Sequence, residues 1–218
     1  MTPLWQARRA AGHTRECHGD LHLANILELD GAIAAFDCIE FDDALRCIDV
    51  VEDVAFTQMD LAARATPALA SRFLNAWLEH TGEYEGVAGL RLCLAYRALV
   101  RAMVENLRTR RSEAALAYAG QALAWRRRAA PRLVITHGLP GSGKTFASQR
   151  LLEHEGAIRI RSDVERSGSS AWRRWLPRAD RASRSTRPMR PAGPTSACSR
   201  WPASPCGRAG PSSWTLLS

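Results

Sequence analysis

Two groups of residues in this 218-residue chain carry the types and spacings that chemistry needs. The first is His18-Gly19-Asp20-Leu21-His22-Leu23-Ala24-Asn25, with Phe36-Asp37 following at the end of the apolar run Ile33-Ala34-Ala35. A carboxylate, an amide five residues on and a second carboxylate at a strand tip form the set required for phosphoryl transfer. One carboxylate orients a hydroxyl and takes its proton; the amide oxygen and the other carboxylate hold Mg²⁺ against the phosphates. Asp20 fits the first role, Asn25 and Asp37 the second. The step from Asp20 to Asn25 is that of a kinase catalytic loop.

The second group is Gly138-Leu139-Pro140-Gly141-Ser142-Gly143-Lys144-Thr145. Gly-x4-Gly-Lys-Thr between a β-type run and a helical one is the P-loop pattern, in which backbone N–H groups from Gly138 through Gly141, Ser142 and Gly143 face phosphate oxygens. Lys144 would reach the β- and γ-phosphates, and Thr145 the Mg²⁺. ATP and Mg²⁺ are therefore the expected cofactors of both groups. The expected partners are a nucleotide and a small-molecule hydroxyl acceptor.

The elements that must position these residues can be read from periodicity. Residues 1–15 are a polar, basic lead-in. Asp43 to about Ala63 reads as one helix, with Leu45, Ile48, Val51, Val54 and Ala55 on one face. Thr66-Pro67 opens a second helix with a hydroxyl cap and Pro in the first turn. A third runs from Gly86 to about Arg108 and a fourth from about Ser112 to Arg127. Leu133-Val134-Ile135-Thr136 reads as a buried-type strand, Lys144 to about His154 as a helix, and Ala157 to Arg161 as a second strand. That is the opening βαβ of a parallel α/β domain. His18 is expected to shape its loop. Glu40, Asp42, Asp43, Asp49 and Asp53 are expected to cap, pack or face solvent; Asp49 is also a candidate for steadying the catalytic loop.

HGDLHLANIL followed by AFDCIEFDDALRCIDV resembles the aminoglycoside/choline phosphotransferase family, over about residues 13–125. The resemblance implies a protein-kinase-like fold, with Asp20 as catalytic base and Asn25 and Asp37 as Mg²⁺ ligands. Such kinases also carry a strand lysine on an N-terminal lobe, whereas Lys144 is the only lysine here. The segment from the P-loop through Arg161-Ser162-Asp163 resembles small P-loop kinases of the gluconate-kinase, polynucleotide-kinase and zeta-toxin type. That likeness implies Asp163 as a base facing the acceptor hydroxyl; a helix N-cap is the other reading of the same residue. The two in one chain resemble proteins described as bifunctional aminoglycoside phosphotransferase/ATP-binding protein, here expected to be truncated at both ends. Acids around Glu40 to Asp43 could meet a cationic acceptor.

The expected fold is thus an α+β protein-kinase-like C-lobe, mainly helical, over residues 1–129. The start of an α/β P-loop domain follows over 130–166, then a disordered tail over 167–218. The net charge of +8 lies wholly in that tail, which holds nine arginines and a single acid, Asp180. Charge outside a folded face does not indicate a nucleic-acid partner. The tail has no Val, Ile, Phe, Tyr, Lys or Glu, yet holds four of the seven tryptophans. It is read as out of frame: Trp214-Thr215, shifted by two bases, encodes aspartate after apolar residues, the form of a Walker B strand. An ordinary basic disordered tail is the alternative. No apolar run is long enough for a bilayer and no signal peptide opens the chain, so a cytoplasmic protein is expected. The six cysteines lack CxxC spacing and are expected to be reduced thiols. A phosphotransferase impaired as this fragment is the expected function; a P-loop ATP-binding or regulatory module, or an inactive frame-shifted product, is the alternative.

Overall fold

The structure, a computed structural model, describes residues 3–110, 112–127, 130–162 and 164. The expectations about Asp163 and about the segment from 167 onward therefore lie outside the described residues.

The lead-in folds as a helix, α1 (Pro3–Ala10), rather than remaining a loose extension. Its side chains explain why. Trp5 packs against the core, and Arg8 is buried, donating from Nε and Nη2 to Asp49 and from Nη2 to Glu83 at 2.8–3.0 Å. Burial opposes the charge of Arg8, but the hydrogen bonds from Asp49 and Glu83 hold its pKa above the usual arginine value.

Strand β1 (Thr14–Glu16) pairs antiparallel with β4 (Cys47–Asp49). Strands β2 (Ile26–Leu29) and β3 (Ala32–Ala35) form a hairpin in which Ile26 faces Ala35. Its two-residue turn, Asp30-Gly31, has both φ angles positive, as a type I′ turn demands.

The single helix expected from Asp43 is split. Residues Asp43–Arg46 form a short helix, α2, capped by Asp42; β4 interrupts; and α3 (Val50–Arg64) then starts from Asp49, whose side chain accepts the Val51 N–H. Pairing with β1 claims the backbone of Cys47 to Asp49 and outweighs the helical period. The next three helices follow the sequence closely. Helix α4 (Pro67–Thr81) starts at Thr66 and ends on left-handed Gly82; α5 spans Val87–Arg108; α6 (Glu113–Arg126) is capped by Ser112. Helices α3, α4, α5 and α6 bury one core, centred on Phe56, Met59, Leu78 and Ala98.

The P-loop region departs from expectation. Helix α7 (Lys144–Glu155) forms, but neither flanking run pairs as a strand among the described residues. Leu133 is 88% and Ile135 77% exposed. A β-type run needs a neighbour to satisfy its backbone groups. Residues 157–159 find one in α4: Asn75 Nδ2 donates to the Ala157 carbonyl at 3.0 Å, and the Arg159 N–H donates to Asn75 Oδ1 at 2.7 Å. Arg159 and Arg161 pair with Glu79 on the same helix, and Ile158 and Leu152 reach apolar surroundings.

No helix among the described residues is long and apolar enough to cross a membrane. Cys17, Cys38, Cys47 and Cys93 are free thiols, and burial pushes those of Cys17 and Cys93 up to about 12, which leaves them unreactive near neutrality.

Candidate functional site

The Asp20 loop is built on one face of α3. Asp53, Thr57 and Asp60 recur at helical spacing, and each holds a different part of the loop. Asp53 accepts the N–H groups of His18 and Gly19 at 3.1 and 2.9 Å. Thr57 donates its hydroxyl to the Leu21 carbonyl at 2.6 Å, and Asp60 accepts the Leu23 N–H at 2.9 Å. Asp60 is fully buried and is itself held by the Tyr118 hydroxyl at 2.5 Å. Burial and that hydrogen bond push the Tyr118 phenol up to about 12, so it remains a donor. Gly19 is required where it stands: its φ is +83°, and a Cβ there would lie 2.8 Å from the Leu45 carbonyl oxygen.

These loop anchors were the least visible from sequence. Asp53 reads there as one of the acids that cap, pack or face solvent, and Thr57 and Asp60 lie outside both motifs. The signal is a polar stripe at i, i+4 and i+7 along α3. Asp49 steadies α1 and the start of α3 rather than the catalytic loop.

His18 bridges loop and hairpin. Its Nδ1 accepts the Asp20 N–H at 3.3 Å, which leaves Nε2 to donate to the Phe36 carbonyl at 2.8 Å. The Phe36 N–H donates to the Asn25 carbonyl at 3.0 Å, extending the β2–β3 ladder by one rung. Asp37, the next residue, is thereby fixed beside Asn25. It takes a left-handed φ of +58°, a region that aspartate tolerates better than most residues.

Asp20, Asn25 and Asp37 line one cleft of about 340 Å³, together with His22, Phe56 and, from α5, Val100, Arg101, Val104 and Arg108. That volume suits a small-molecule site. His22 Nδ1 accepts the Ala24 N–H, so the ring proton sits on Nε2, which faces Asp20 Oδ2 at 3.4 Å. The ring stands edge-on to Phe56. Asn25 Nδ2 donates to the Asp20 carbonyl and to Asp20 Oδ2, at 3.0 and 3.3 Å. The hydrogen bond from His22 is the main cause that holds the Asp20 carboxyl below its ordinary range; burial opposes it, and the charges of Arg101 and Arg97 add to it. Asp20 is therefore ionised near neutrality.

The residues present fit a hard cation. Asn25 spends its N–H₂ group on Asp20, which leaves the amide oxygen available. The Asp37 carboxylate is exposed and has no hydrogen bond or ion pair among the described residues. Oxygen donors of this kind suit Mg²⁺, whose remaining positions are commonly filled by water and phosphate.

The P-loop group forms a separate cleft of about 320 Å³, lined by Ile135, Thr136, His137, Ser142, Gly143, Lys144 and Ala147. Gly138, Gly141 and Gly143 all have positive φ, and Gly143 leads into α7. Lys144 Nζ donates to the Gly138 and Leu139 carbonyls, each at 2.7 Å. Gly141 and Thr145 are exposed and do not line this cleft. Glu40, Asp42 and Asp43 do not line the Asp20 cleft. Asp42 caps α2 and Asp43 pairs with Arg46, so these local bonds occupy two of the acids expected to meet a cation.

Comparison with known proteins agrees with this division. Residues 2–90 match the phosphotransferase enzyme family, and residues 133–200 match an AAA domain, a P-loop domain. The second match runs past residue 166. The uncharacterized protein Rv2004c of Mycobacterium tuberculosis and the uncharacterized protein Mb2027c of Mycobacterium bovis are each 34% identical over 168 residues, covering 73% of this chain. The chain spans 33% of the length of these relatives. No solved structure matches. One chain thus joins a segment similar to the phosphotransferase enzyme family to a segment similar to an AAA domain.

Proposed function

We propose that the chain is part of an ATP-dependent phosphotransferase that transfers the γ-phosphoryl group to a hydroxyl of a small molecule. The observation that carries this reading is the convergence of Asp20, Asn25 and Asp37 in one cleft, with Asp20 ionised and fixed by His22 and Asn25. The acceptor oxygen attacks the γ-phosphorus, the bond from phosphorus to the β–γ bridging oxygen breaks, and ADP leaves. The hydroxyl proton passes to the Asp20 carboxylate. A carboxylate held below its ordinary pKa is a weak base, so Asp20 contributes mainly by orienting the hydroxyl, as a loose phosphoryl-transfer transition state requires. Asn25 and Asp37 would hold Mg²⁺, which when bound neutralises charge on the phosphates. His18 fixes the loop through both ring nitrogens and takes no part in proton transfer.

The P-loop supplies a second nucleotide site. There, phosphate oxygens would replace the Gly138 and Leu139 carbonyls as partners of Lys144. The reading is tested by ADP release from Mg·ATP in the presence of a panel of hydroxyl compounds, with wild-type chain and Asp20→Asn. Acceptor-dependent ADP release that Asp20→Asn abolishes, with nucleotide binding retained, is the expected result. Release unaffected by the substitution would exclude the Asp20 cleft as the site of transfer.

A further inference from the structure

We propose that the acceptor of the Asp20 cleft is an anionic hydroxyl compound, held through its anionic group by Arg101 and Arg108 of α5. This rests on the phosphotransferase reading of the same cleft.

The argument begins with charge. Among the described residues only two acids line the cleft, and both are committed: Asp20 to the acceptor hydroxyl and Asp37 to the metal. No carboxylate remains in the lining to hold an ammonium group. Two guanidinium groups, by contrast, stand on the α5 wall. Arg108 is exposed and has no hydrogen bond or ion pair among the described residues. Arg101 is 8% exposed, and its Nε is buried without a partner. Glu105 binds only the Nη2 of Arg101, at 2.8 Å, and the guanidinium stands over the Tyr118 ring. Arg101 and Asp20 line the same cleft.

Helical spacing makes these residues one surface. Val100, Arg101, Val104 and Arg108 recur at i, i+1, i+4 and i+8, so α5 presents two short apolar groups alternating with two cations. A compact molecule with a hydroxyl at one end and a carboxylate or phosphate at the other matches that surface. Planar guanidinium groups recognise such anions through paired N–H donors. A polycationic acceptor would place its charge against them.

The test is binding of three small hydroxyl compounds of different charge, namely glycerate, glycerol and ethanolamine. Each is followed by NMR shifts of the full chain with Mg·ADP present. Glycerate carries no phosphate and so does not imitate the nucleotide. The expected order is glycerate tightest, ethanolamine weakest, with glycerate roughly tenfold weaker for Arg108→Glu and Arg108→Gln intermediate. Preference for ethanolamine, absence of glycerate binding, or indifference to both Arg108 variants would overturn the proposal. Exclusion of glycerate by Mg·ADP would overturn it too, by assigning the arginines to nucleotide phosphate. Failure of the phosphotransferase reading is separate: glycerate would bind as predicted, yet no phosphoryl group would pass to any compound tried.

Discussion

Asp53 binds the Asp20 loop with both of its oxygens, Oδ2 to the His18 N–H at 3.1 Å and Oδ1 to the Gly19 N–H at 2.9 Å. Two adjacent peptide groups are thus oriented by one buried side chain, and Asp20 follows directly. Asp53→Ala leaves both donors without a partner, at a cost of about 1–3 kcal/mol for each. Asp53→Asn retains one acceptor and turns an N–H₂ group toward the other donor, so it recovers only part of the loss. Urea denaturation of the two variants checks this; equal stability of Asp53→Asn and wild type would show that the second oxygen is dispensable.

Asp20 and Asp53 respond to pH in opposite senses. The folded-state pKa of Asp20 is depressed, chiefly by the His22 hydrogen bond. Its contribution to stability is present above the unfolded value, about 3.9, and is lost as pH falls through the folded value. Burial raises the pKa of Asp53, although the His18 and Gly19 amides oppose the rise. Its contribution is complete below the unfolded value and is lost as pH rises through the folded one. Asp20→Asn should therefore flatten the acid limb of the stability profile below about pH 4, while Asp53→Asn should flatten the profile above that point. Denaturation midpoints across this range give the sign directly.

Arg8 is 2% exposed and joins α1 to both Asp49 and Glu83. Arg8→Ala removes the cation and leaves two acids facing each other in a buried site. Breaking a buried pair in this way costs about 3–5 kcal/mol. Calorimetric unfolding should show a large drop in melting temperature, and a shift within error of zero would mean that α1 is not part of the cooperative unit.

Lys144 spends its three N–H donors within the P-loop, on the Gly138 and Leu139 carbonyls and toward Ser142. Lys144→Ala should weaken ATP binding at this site by roughly tenfold or more, through loss of a charge-assisted contact. Helix content should change little, since Lys144 is at the first position of α7. A fluorescent ATP analogue titrated into both proteins measures the first effect, and circular dichroism the second.

The sequence made some of these features plain and concealed others for identifiable reasons. Thr66-Pro67 announces a helix start through local chemistry, and the structure places the cap on Thr66. Asp20, Asn25 and Asp37 stand out in the sequence through their spacing, a loop and then an acid at a strand tip, and all three line one cleft. The break at Cys47–Asp49 was not legible, since pairing with β1 is a contact thirty-three residues distant and leaves no trace in helical period. The strands expected around the P-loop failed for the complementary reason: composition reports a capacity to pair, not the presence of a partner. Arg101 and Arg108 were hidden by their type, because arginine on a helix usually marks a solvated face.

Asn75 has a consequence of another kind. A primary amide offers the same donor and acceptor as a peptide group, so this one side chain serves residues 157–159 as a substitute sheet edge. Both of its bonds to this segment go to main-chain atoms, as does a third, to the Ser71 carbonyl of its own helix. Recognition through these bonds is therefore blind to the side chains at 157 and 159, and position 157 is free to drift while the docking persists. The constraint from these two bonds falls on residue 75, while the Arg159 and Arg161 side chains are tied separately to Glu79. Asn75→Ala should release the Arg159 amide to fast hydrogen exchange, whereas substitution of Ala157 by another small residue should leave its protection intact.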